Sequence, residues 1–333
     1  MDKPLYRVSF DASELLRAHP PQLRHPNKVA LLEVAYPAGA VASGQIVVTR
    51  WAGALPESLA LPATLASDVQ PNFYDYRPVA TGGNVVEWHV NFADPRLFGA
   101  YGSGLFAQDE MQVAEHPLLG SVREALLARG LAAKTSDETG PTPVLVRNVE
   151  RRLAIATTPD AAAGRPAGLY GNRFGAAPAE VVRRAARRVD PPAFSNIIAM
   201  AAPSGGVGEY TTGDVRAILK TAVTAFGAAR VESIDTDSNT DSARTVVHTG
   251  FWGCGAFGGN RKLMVALQAL AARAGGVHRL VLHAGDRSGI DHAGRGLDVA
   301  EAIASKCGPR APVEDVIERC AMLGYRWGVS DGN

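Results

Sequence analysis

Thr249-Gly-Phe-Trp-Gly-Cys-Gly-Ala-Phe-Gly-Gly-Asn-Arg-Lys262 is a glycine-rich stretch between an apolar run at residues 245–248 and a strongly helical run at residues 263–273. A strand, a glycine loop and a helix in this order can form a phosphate cradle. Glycines let a ligand approach the backbone, and successive N–H groups near a helix N-terminus bind an anion. The loop matches neither GxxxxGK[ST] nor GxGxxG, the two commonest nucleotide-binding patterns. A tight turn at a sheet edge is the alternative, but short turns rarely need five glycines.

Two aromatic residues and a cysteine lie among these glycines. Large rings in such a loop either fill a core or stack on a ligand. We assign Trp252 to the core and Phe257, which is flanked by small residues, to the ligand. Cys254 could be a nucleophile, but no base is adjacent in sequence, so we interpret it as a small loop or core residue.

The bulk composition narrows the class of protein. The chain has 333 residues, 46% of them hydrophobic and 20% charged, which is ordinary for a soluble globular protein. A net charge of +1 provides no general basic surface for nucleic acid. No run of about 18 apolar residues predicts a membrane span, and the N-terminus lacks the pattern of a signal peptide. The three cysteines have no metal-binding spacing and fit a reducing compartment, so we expect a cytoplasmic protein without a metal or cofactor.

Strands and helices alternate from residue 84 onwards, which predicts a mostly parallel or mixed sheet covered on both faces. Ligands of such sheets bind beyond the carboxyl ends of the strands. Strands are predicted at residues 85–92, 143–147, 152–157, 196–201, 245–248 and 278–283. Helices are predicted at residues 108–130 (broken at Pro117), 178–188, 212–226, 260–273, 296–306 and 312–323. Upstream, residues 12–18 predict a short helix, and residues 28–35 and 45–51 predict strands.

The glycine loop resembles the C-terminal signature of the poly(ADP-ribose) glycohydrolase family, a TGNWGCGAFGG-like loop that wraps the diphosphate of ADP-ribose. That family also has an upstream strand ending in DFAN, then a triple glycine, then Gln-Glu-Glu opening a helix. Here the corresponding stretches are Val90-Asn-Phe-Ala-Asp94, Phe98-Gly-Ala100 and Gln108-Asp-Glu110, and their spacing fits without a gap. Two motifs in the right order are a more specific resemblance than either alone.

The resemblance implies an α/β fold of the macrodomain type, with three layers (α/β/α) and a mixed central sheet. We divide the chain into an accessory N-terminal region at residues 1–80, a macrodomain-like core at 81–290, and C-terminal helices at 291–333 that pack on the core.

The activity that the resemblance implies is hydrolysis of the O-glycosidic bond at the distal ribose of poly- or mono-ADP-ribosylated substrates. This reaction needs a proton donor for the leaving oxygen and stabilisation of an oxocarbenium-like state. By position, Glu110 would be the general acid/base and Asp109 would help to hold the ribose. Two neighbouring acids in a cleft raise the pKa of one of them. The alternative for this pair is the favourable acidic first turn of a helix.

The implied substrate-binding residues lie in both motifs and in one segment between them. Asp94 takes the place of an asparagine of the family, with an Asp-Pro turn as the alternative. Tyr170 resembles a tyrosine that packs at the adenine, with an exposed loop residue as the alternative. The full set is Asn91, Asp94, Gly99, Tyr101, Gln108, Tyr170, Gly250, Gly253, Cys254, Gly255, Ala256, Phe257 and Gly258. We assign no chemistry to the histidines, and interpret His248 and His283 as satisfied core residues.

Several departures from the family pattern indicate a divergent member. The triple glycine is replaced by Phe98-Gly99-Ala100, with Tyr101 next, and an aromatic side chain there could block a longer polymer or cover a different substituent. A strand with the family pattern Ile-Val-Ala-Ile-Asp-Ala corresponds to residues 197–202 without its aspartate. A module that binds ADP-ribose or another NAD metabolite without cleaving it therefore stays open. So does an enzyme for some other ADP-ribosylated small molecule, nucleic acid or tRNA.

Overall fold

A computed structural model describes residues 3–79, 84–234 and 243–332. Its strands are β1 (Tyr6–Asp11), β2 (Gln45–Arg50), β3 (Ser58–Ala60), β4 (Ala66–Gln70), β5 (Val85–Ala93), β6 (Ser136–Asp137), β7 (Gly140–Pro141), β8 (Val144–Ile155), β9 (Ala186–Ala201), β10 (Arg244–Thr249), β11 (Arg279–His283) and β12 (Arg310–Pro312). Its helices are α1 (Ala12–Ala18), α2 (Pro26–Ala35), α3 (Gln108–Glu115), α4 (Leu118–Ala128), α5 (Arg173–Ala176), α6 (Ala179–Ala185), α7 (Thr212–Ser233), α8 (Arg261–Ala274), α9 (Arg287–Cys307) and α10 (Val313–Ala321).

The centre of the molecule is a mixed eight-stranded sheet in the order β1-β2-β8-β9-β5-β10-β11-β4. The five strands from β9 to β4 run parallel to their neighbours, whereas β1, β2, β8 and β9 pair antiparallel. The carboxyl ends of β9, β5, β10, β11 and β4 therefore meet at one edge of the sheet.

Both faces of this sheet are buried, as successive residues of β9 show. Ile198 and Met200 join the core cluster that contains residues of α7, α8, α9 and α10. Ile197 and Ala199 point the other way and join a second cluster with residues of α1 and α4. Because side chains alternate across a strand, helices cover the sheet on both sides. The predicted three-layer α/β/α architecture with a mixed sheet is confirmed.

The N-terminal 80 residues contribute directly to this sheet. Strands β1 and β2 extend one side of it beyond β8, and β4 forms its other edge. The proposed boundary between residues 80 and 81 lies outside the described residues, and the division into three parts stays a prediction.

The strand predicted at residues 28–35 was wrong, because this segment is helix α2. Pro26 stands in its first turn, a position at which proline favours a helix, and the His25 side chain accepts a hydrogen bond from the Asn27 N–H at 3.2 Å. The apolar run also has helical spacing, since Leu31 and Ala35 are both buried. The two short strands predicted at 143–147 and 152–157 are one strand, β8, with two register shifts.

No helix among the described residues is long and apolar enough to cross a membrane.

Candidate active site

Two loops meet at the carboxyl edge of the sheet because they follow neighbouring parallel strands. The β5–α3 loop (residues 94–107) leaves β5, and the glycine loop (residues 250–260) leaves β10. Phe92, at the end of β5, lies 3.5 Å from the position that a Cβ on Gly250 would take. The two motifs that were quoted from the sequence are therefore brought together.

Gln108 joins the start of α3 to the end of β5. Its Oε1 accepts a hydrogen bond from the Phe92 N–H at 2.7 Å, and its Nε2 donates to the Val90 carbonyl at 3.1 Å. The pairing of β5 with β10 ends at His89 and His248, so the Gln108 amide continues the hydrogen bonding of β5 beyond that pairing. In this structure the side-chain oxygen and nitrogen of Gln108 both form hydrogen bonds to the backbone, and its contact with substrate stays a prediction.

Asp109 and Glu110 lie side by side at the N-terminus of α3, each about 5% exposed or less. Asn91 Nδ2 donates to Asp109 Oδ1 at 3.0 Å, and the Ala107 N–H donates to Glu110 Oε2 at 3.0 Å. Burial raises the pKa of the Asp109 carboxyl well above its usual range, and the adjacent Glu110 carboxyl adds to the effect. Burial also raises the pKa of Glu110, against the opposing charge of Lys28. Such a pair can keep a proton at neutral pH.

Asp94 and Gly99 shape the β5–α3 loop close to this acid pair. The Asp94 carboxylate accepts a hydrogen bond from the Arg96 N–H at 2.9 Å, which is a turn contact, and its side chain is 43% exposed. Its charge nevertheless reaches Asp109 and Glu110 and raises the pKa of both. A Cβ on Gly99 would lie 3.1 Å from the Arg96 carbonyl oxygen, so a side chain there would strain this turn.

The two aromatic residues of the altered triple-glycine segment point into the protein. Phe98 is fully buried and Tyr101 is 5% exposed, and both belong to the core cluster around α1 and α4. The Tyr101 hydroxyl donates to Glu124 at 2.9 Å and accepts from the Gln22 N–H at 2.6 Å. The substrate contact predicted for Tyr101 stays a prediction, which this burial does not favour.

Tyr170 lies at the mouth of the site. The Gly171 N–H donates to the Phe106 carbonyl at 3.0 Å, which anchors its segment beside the start of α3. The side chain is 39% exposed. Partial burial, together with the negative charges of Asp331 and Glu110, raises the pKa of the Tyr170 phenol to about 12. The ring therefore lies within electrostatic reach of the acid pair and of the C-terminus.

The glycine loop is a compact series of turns. The Cys254 N–H donates to the Phe251 carbonyl, and the N–H groups of Gly258 and Gly259 donate to Gly255 and Gly253. Gly253 and Gly258 have φ values of +75° and +63°, a conformation that favours glycine.

Four side chains of the loop have different surroundings. Trp252 is fully buried with its Nε1 donating to Met200, which confirms the core assignment. Burial raises the pKa of the Cys254 thiol to about 12, which argues against a nucleophile. Phe257 is partly buried against the core, and Ala256 is exposed.

Gln268 supports the start of the glycine loop from helix α8. It is fully buried, accepts a hydrogen bond from the Thr249 hydroxyl at 2.6 Å, and donates to the Gly250 carbonyl at 3.1 Å. Gly250 itself has no room for a side chain, because a Cβ would lie 2.8 Å from the His283 carbonyl oxygen. Sequence reasoning missed Gln268, although a lone polar residue in an apolar helical run is a signal that could have found it.

A C-terminal tail (residues 325–332) lies on the glycine loop. The Gly328 N–H donates to the Gly258 carbonyl at 2.7 Å, and the Asp331 N–H donates to the Gly255 carbonyl at 3.4 Å. The Trp327 ring stacks on Tyr210 with a centroid distance of 4.1 Å. The Asp331 carboxylate borders the loop, 3.1 Å from where a Cβ on Gly255 would stand. No sequence pattern indicated this contact.

Three histidines, His89, His248 and His283, lie together under this edge of the sheet. The His89 ring stacks on His248 at 4.3 Å. His248 is hydrogen-bonded through both ring nitrogens, to His283 and to Glu87, each at 3.1 Å, as expected of a satisfied core residue. Neither ring nitrogen of His89 has a hydrogen-bond partner. Within the described residues, no three His, Cys, Asp or Glu side chains are grouped as a metal site requires.

Residues 171–288 match the family model described as Poly (ADP-ribose) glycohydrolase (PARG), Macro domain fold. No curated protein matches the chain. Among solved structures, poly(ADP-ribose) glycohydrolase from Thermomonospora curvata is 18% identical and has a TM-score of 0.48, over 83% of this chain and 99% of that one. Its form bound to the inhibitor ADP-HPD is 17% identical with the same TM-score, over 83% and 100%. The Deinococcus radiodurans glycohydrolase in complex with ADP-ribose is 14% identical with a TM-score of 0.44, over 89% and 95%.

The family-model match contains the whole glycine loop and the strands on either side of it. The upstream acid motif lies outside the matched residues but occupies the neighbouring strand of the same sheet. Over residues 171–288 the chain is therefore similar to the poly(ADP-ribose) glycohydrolase family, a family of glycosidases with a macrodomain fold.

Proposed function

We propose that this protein hydrolyses the O-glycosidic bond at the distal ribose of poly- or mono-ADP-ribosylated substrates, with Glu110 as the general acid/base. The observation that carries the proposal is the buried carboxyl pair at the start of α3, next to the glycine loop. A lone acidic helix terminus would be exposed, whereas this pair is almost completely buried and one member is held by Asn91.

The proposed mechanism uses the raised pKa of the Glu110 carboxyl. In its protonated form Glu110 donates its proton to the leaving glycosidic oxygen while positive charge develops on the distal ribose. Asp109, oriented by Asn91, holds the ribose hydroxyls. The Glu110 carboxylate then takes a proton from the water that attacks the anomeric carbon, and this restores the acid.

The glycine loop is the proposed clamp for the diphosphate. Gly253 and Gly258 have positive φ in this loop, and backbone nests that bind anions are built from residues in such conformations. Tyr170 is the proposed contact for the adenosine side of the ligand, in accordance with its partial exposure. The three cysteines are free thiols in the structure, consistent with our proposal that the protein acts in the cytoplasm.

A module that binds ADP-ribose without cleaving it is the second candidate. The aromatic residues Phe98 and Tyr101 no longer favour it, because they pack in the core instead of narrowing the cleft. The C-terminal tail does not separate the two candidates, because its Asp331 carboxylate adds negative charge beside the diphosphate site that both of them need.

Glu110→Gln distinguishes the two candidates. We expect ADP-ribose release from poly- or mono-ADP-ribosylated protein to fall by about 10²–10⁴-fold, the usual range for a lost general acid/base. The affinity for ADP-ribose, measured by calorimetry with AMP and NAD as comparison ligands, should be retained. Glu14→Gln, an exposed change on α1, is the matched control.

Two results would contradict the proposal. Unchanged turnover in Glu110→Gln would exclude this mechanism. Selective ADP-ribose binding by the natural protein, with no release from any modified substrate, would establish the binding module instead.

A further inference from the structure

A segment of the N-terminal region, residues 22–28, holds the β5–α3 loop through four hydrogen bonds to Tyr101 and Gly102. The N–H groups of Arg24 and His25 both donate to the Gly102 carbonyl, at 2.9 and 3.0 Å. Two residues earlier, the Gln22 N–H donates to the Tyr101 hydroxyl. The loop that leads into the acid pair is thus fixed by residues far away in sequence.

Lys28 is the charged member of this segment, and it is 3% exposed. Its Nζ donates to the Tyr101 carbonyl at 2.7 Å and lies 5.2 and 5.5 Å from the ring centroids of Phe106 and Phe174. Those two rings stack on each other at 4.0 Å. An ammonium group is costly to bury in such apolar surroundings unless an opposite charge compensates it.

The compensating charges are the acid pair. Burial lowers the pKa of Lys28 to about 8, and the negative charges of Glu110 and Asp109 oppose this lowering. In return, the Lys28 charge lowers the pKa of both carboxyls, while Asp94 raises them. No carboxylate of the described residues forms an ion pair with Lys28 within 4.0 Å, so the interaction acts at longer range. The groups that interact electrostatically with Glu110 are thus Lys28 on α2, Asp94 on the β5–α3 loop, Asp109 on α3 and Tyr170.

We propose that Lys28 is a positioning residue of the active site, whose buried ammonium group stabilises the singly ionised form of the Asp109–Glu110 pair. Its bond to the Tyr101 carbonyl at the same time fixes the loop that precedes α3. The inference deepens the proposed function and rests on it, since the charge state of the pair matters for catalysis only if Glu110 is the acid.

The expected consequence of losing the charge has a definite sign. Without Lys28 both carboxyls hold their protons to higher pH, because the positive charge that lowers their pKa is gone. The ionised form becomes scarcer at neutral pH, and the pH optimum of turnover moves upward. The effect exists only below about pH 8, because above this pH the natural Lys28 loses its own charge.

Lys28→Met tests this, since methionine keeps much of the apolar stem. We expect the optimum of kcat to rise by about one pH unit and kcat at pH 7 to fall more than KM changes. Lys28→Arg, which keeps the charge, should restore the natural optimum. Asn27→Ala is the structural control, because Asn27 lies next to Lys28 on α2 and bonds the Phe174 and Ala177 carbonyls without carrying a charge. It should lower stability and leave the optimum unchanged.

A second measurement does not depend on turnover. The carboxyl ¹³C resonances of Asp109 and Glu110 can be titrated in the natural protein and in Lys28→Met, with Glu110→Gln for assignment. Higher midpoints in Lys28→Met support the inference, and identical midpoints overturn it. If Lys28→Met does not fold, the natural protein suffices, because loss of the Lys28 proton near pH 8 must displace these resonances. The absence of a displacement overturns the inference. Absence of turnover in the natural protein would contradict only the proposed hydrolysis.

Discussion

At the scale of single residues, Gly253 shows why the glycine loop tolerates so little change. Its φ of +75° favours glycine, and a Cβ would lie 2.6 Å from the Ala202 Cβ. The positive φ restricts the backbone, and the close contact leaves no space for a side chain. The free-energy costs of these two effects add when the glycine is replaced.

Gly253→Ala should therefore lower the free energy of unfolding by about 2–4 kcal/mol. It should also weaken ADP-ribose binding, because the loop must shift away from β9. Gly39→Ala separates the two causes, since Gly39 has φ +82° but nothing within 4 Å of an added Cβ. We expect Gly39→Ala to cost only about 1 kcal/mol. Equal losses in urea denaturation of the two variants would contradict the crowding argument.

The acid pair and the glycine loop could be found from the sequence because their chemistry lies in consecutive residues. The surroundings of Tyr101 could not, since its hydroxyl partners Gln22 and Glu124 are remote in sequence. The burial of Lys28 could not be predicted for the same reason. A lysine in an apolar run looks like a solvated residue until the fold shows it buried, with two carboxyls in electrostatic reach.

At the scale of elements, the C-terminal tail changes the electrostatics of the glycine loop. It is held by main-chain hydrogen bonds to Gly255 and Gly258 and by the stacking of Trp327 on Tyr210. Its Asp331 carboxylate stands where the proposed ligand brings two phosphate charges. Like charges at this distance repel, although solvent reduces the effect.

Asp331→Asn should strengthen ADP-ribose binding by up to about fivefold, equivalent to ~1 kcal/mol. The gain should shrink as salt is added, because the interaction is electrostatic. Asp315→Asn removes the same charge from the exposed surface of α10 and should leave the affinity unchanged. Calorimetry at two salt concentrations checks both. A decrease in affinity for Asp331→Asn would mean that this carboxylate helps to bind the ligand.

The elements themselves were predictable where one pattern dominated. The strands β5, β10 and β11 and the helices α3 and α8 lie where apolar periodicity placed them. Helix α2 was not predicted, since its run of apolar residues suits a strand or a helix equally. Proline at its first turn was the local signal for a helix.

At the scale of the whole molecule, the buried histidines make stability depend on pH. Burial lowers the pKa of His89 well below its usual range and those of His116 and His283 to about 3 and 4. The unfolded chain takes up these protons near pH 6.5, so the stabilisation is complete above that pH and is lost as pH falls towards the folded values. The raised carboxyls Asp109 and Glu110 act in the opposite direction and reduce part of the loss.

His89→Phe tests the largest single contribution of a histidine to the pH dependence of stability, because both His89 ring nitrogens are buried without hydrogen-bond partners. We expect about 1 kcal/mol more stability at pH 7.5. Below pH 6.5 the loss of stability should become less steep, by up to about 1.4 kcal/mol per pH unit. Urea denaturation at pH 7.5 and 5.0 measures both, with His19→Gln on the surface as the control. An unchanged pH dependence would show that His89 is not the group that titrates.

The alternation of strands and helices was sufficient to predict the layered architecture, but not the full sheet. Strands β1, β2 and β4 join it through pairings such as Tyr6 with Arg50 and Arg279 with Ala66. Such long-range pairings have no local signature, because a strand's partner depends on which face and edge remain available after other elements have packed.

The candidate site is built from both ends of the chain: Lys28 reaches the Tyr101 carbonyl across 73 residues, and the tail reaches the glycine loop from beyond residue 325. During synthesis, the glycine loop leaves the ribosome well before the residues that cover it. Contacts of this kind form late, because they require the intervening chain to be ordered first. A growing chain would therefore contain the acid pair and the glycine loop before the tail covers that loop. The finished site would exist only once residue 331 has been added.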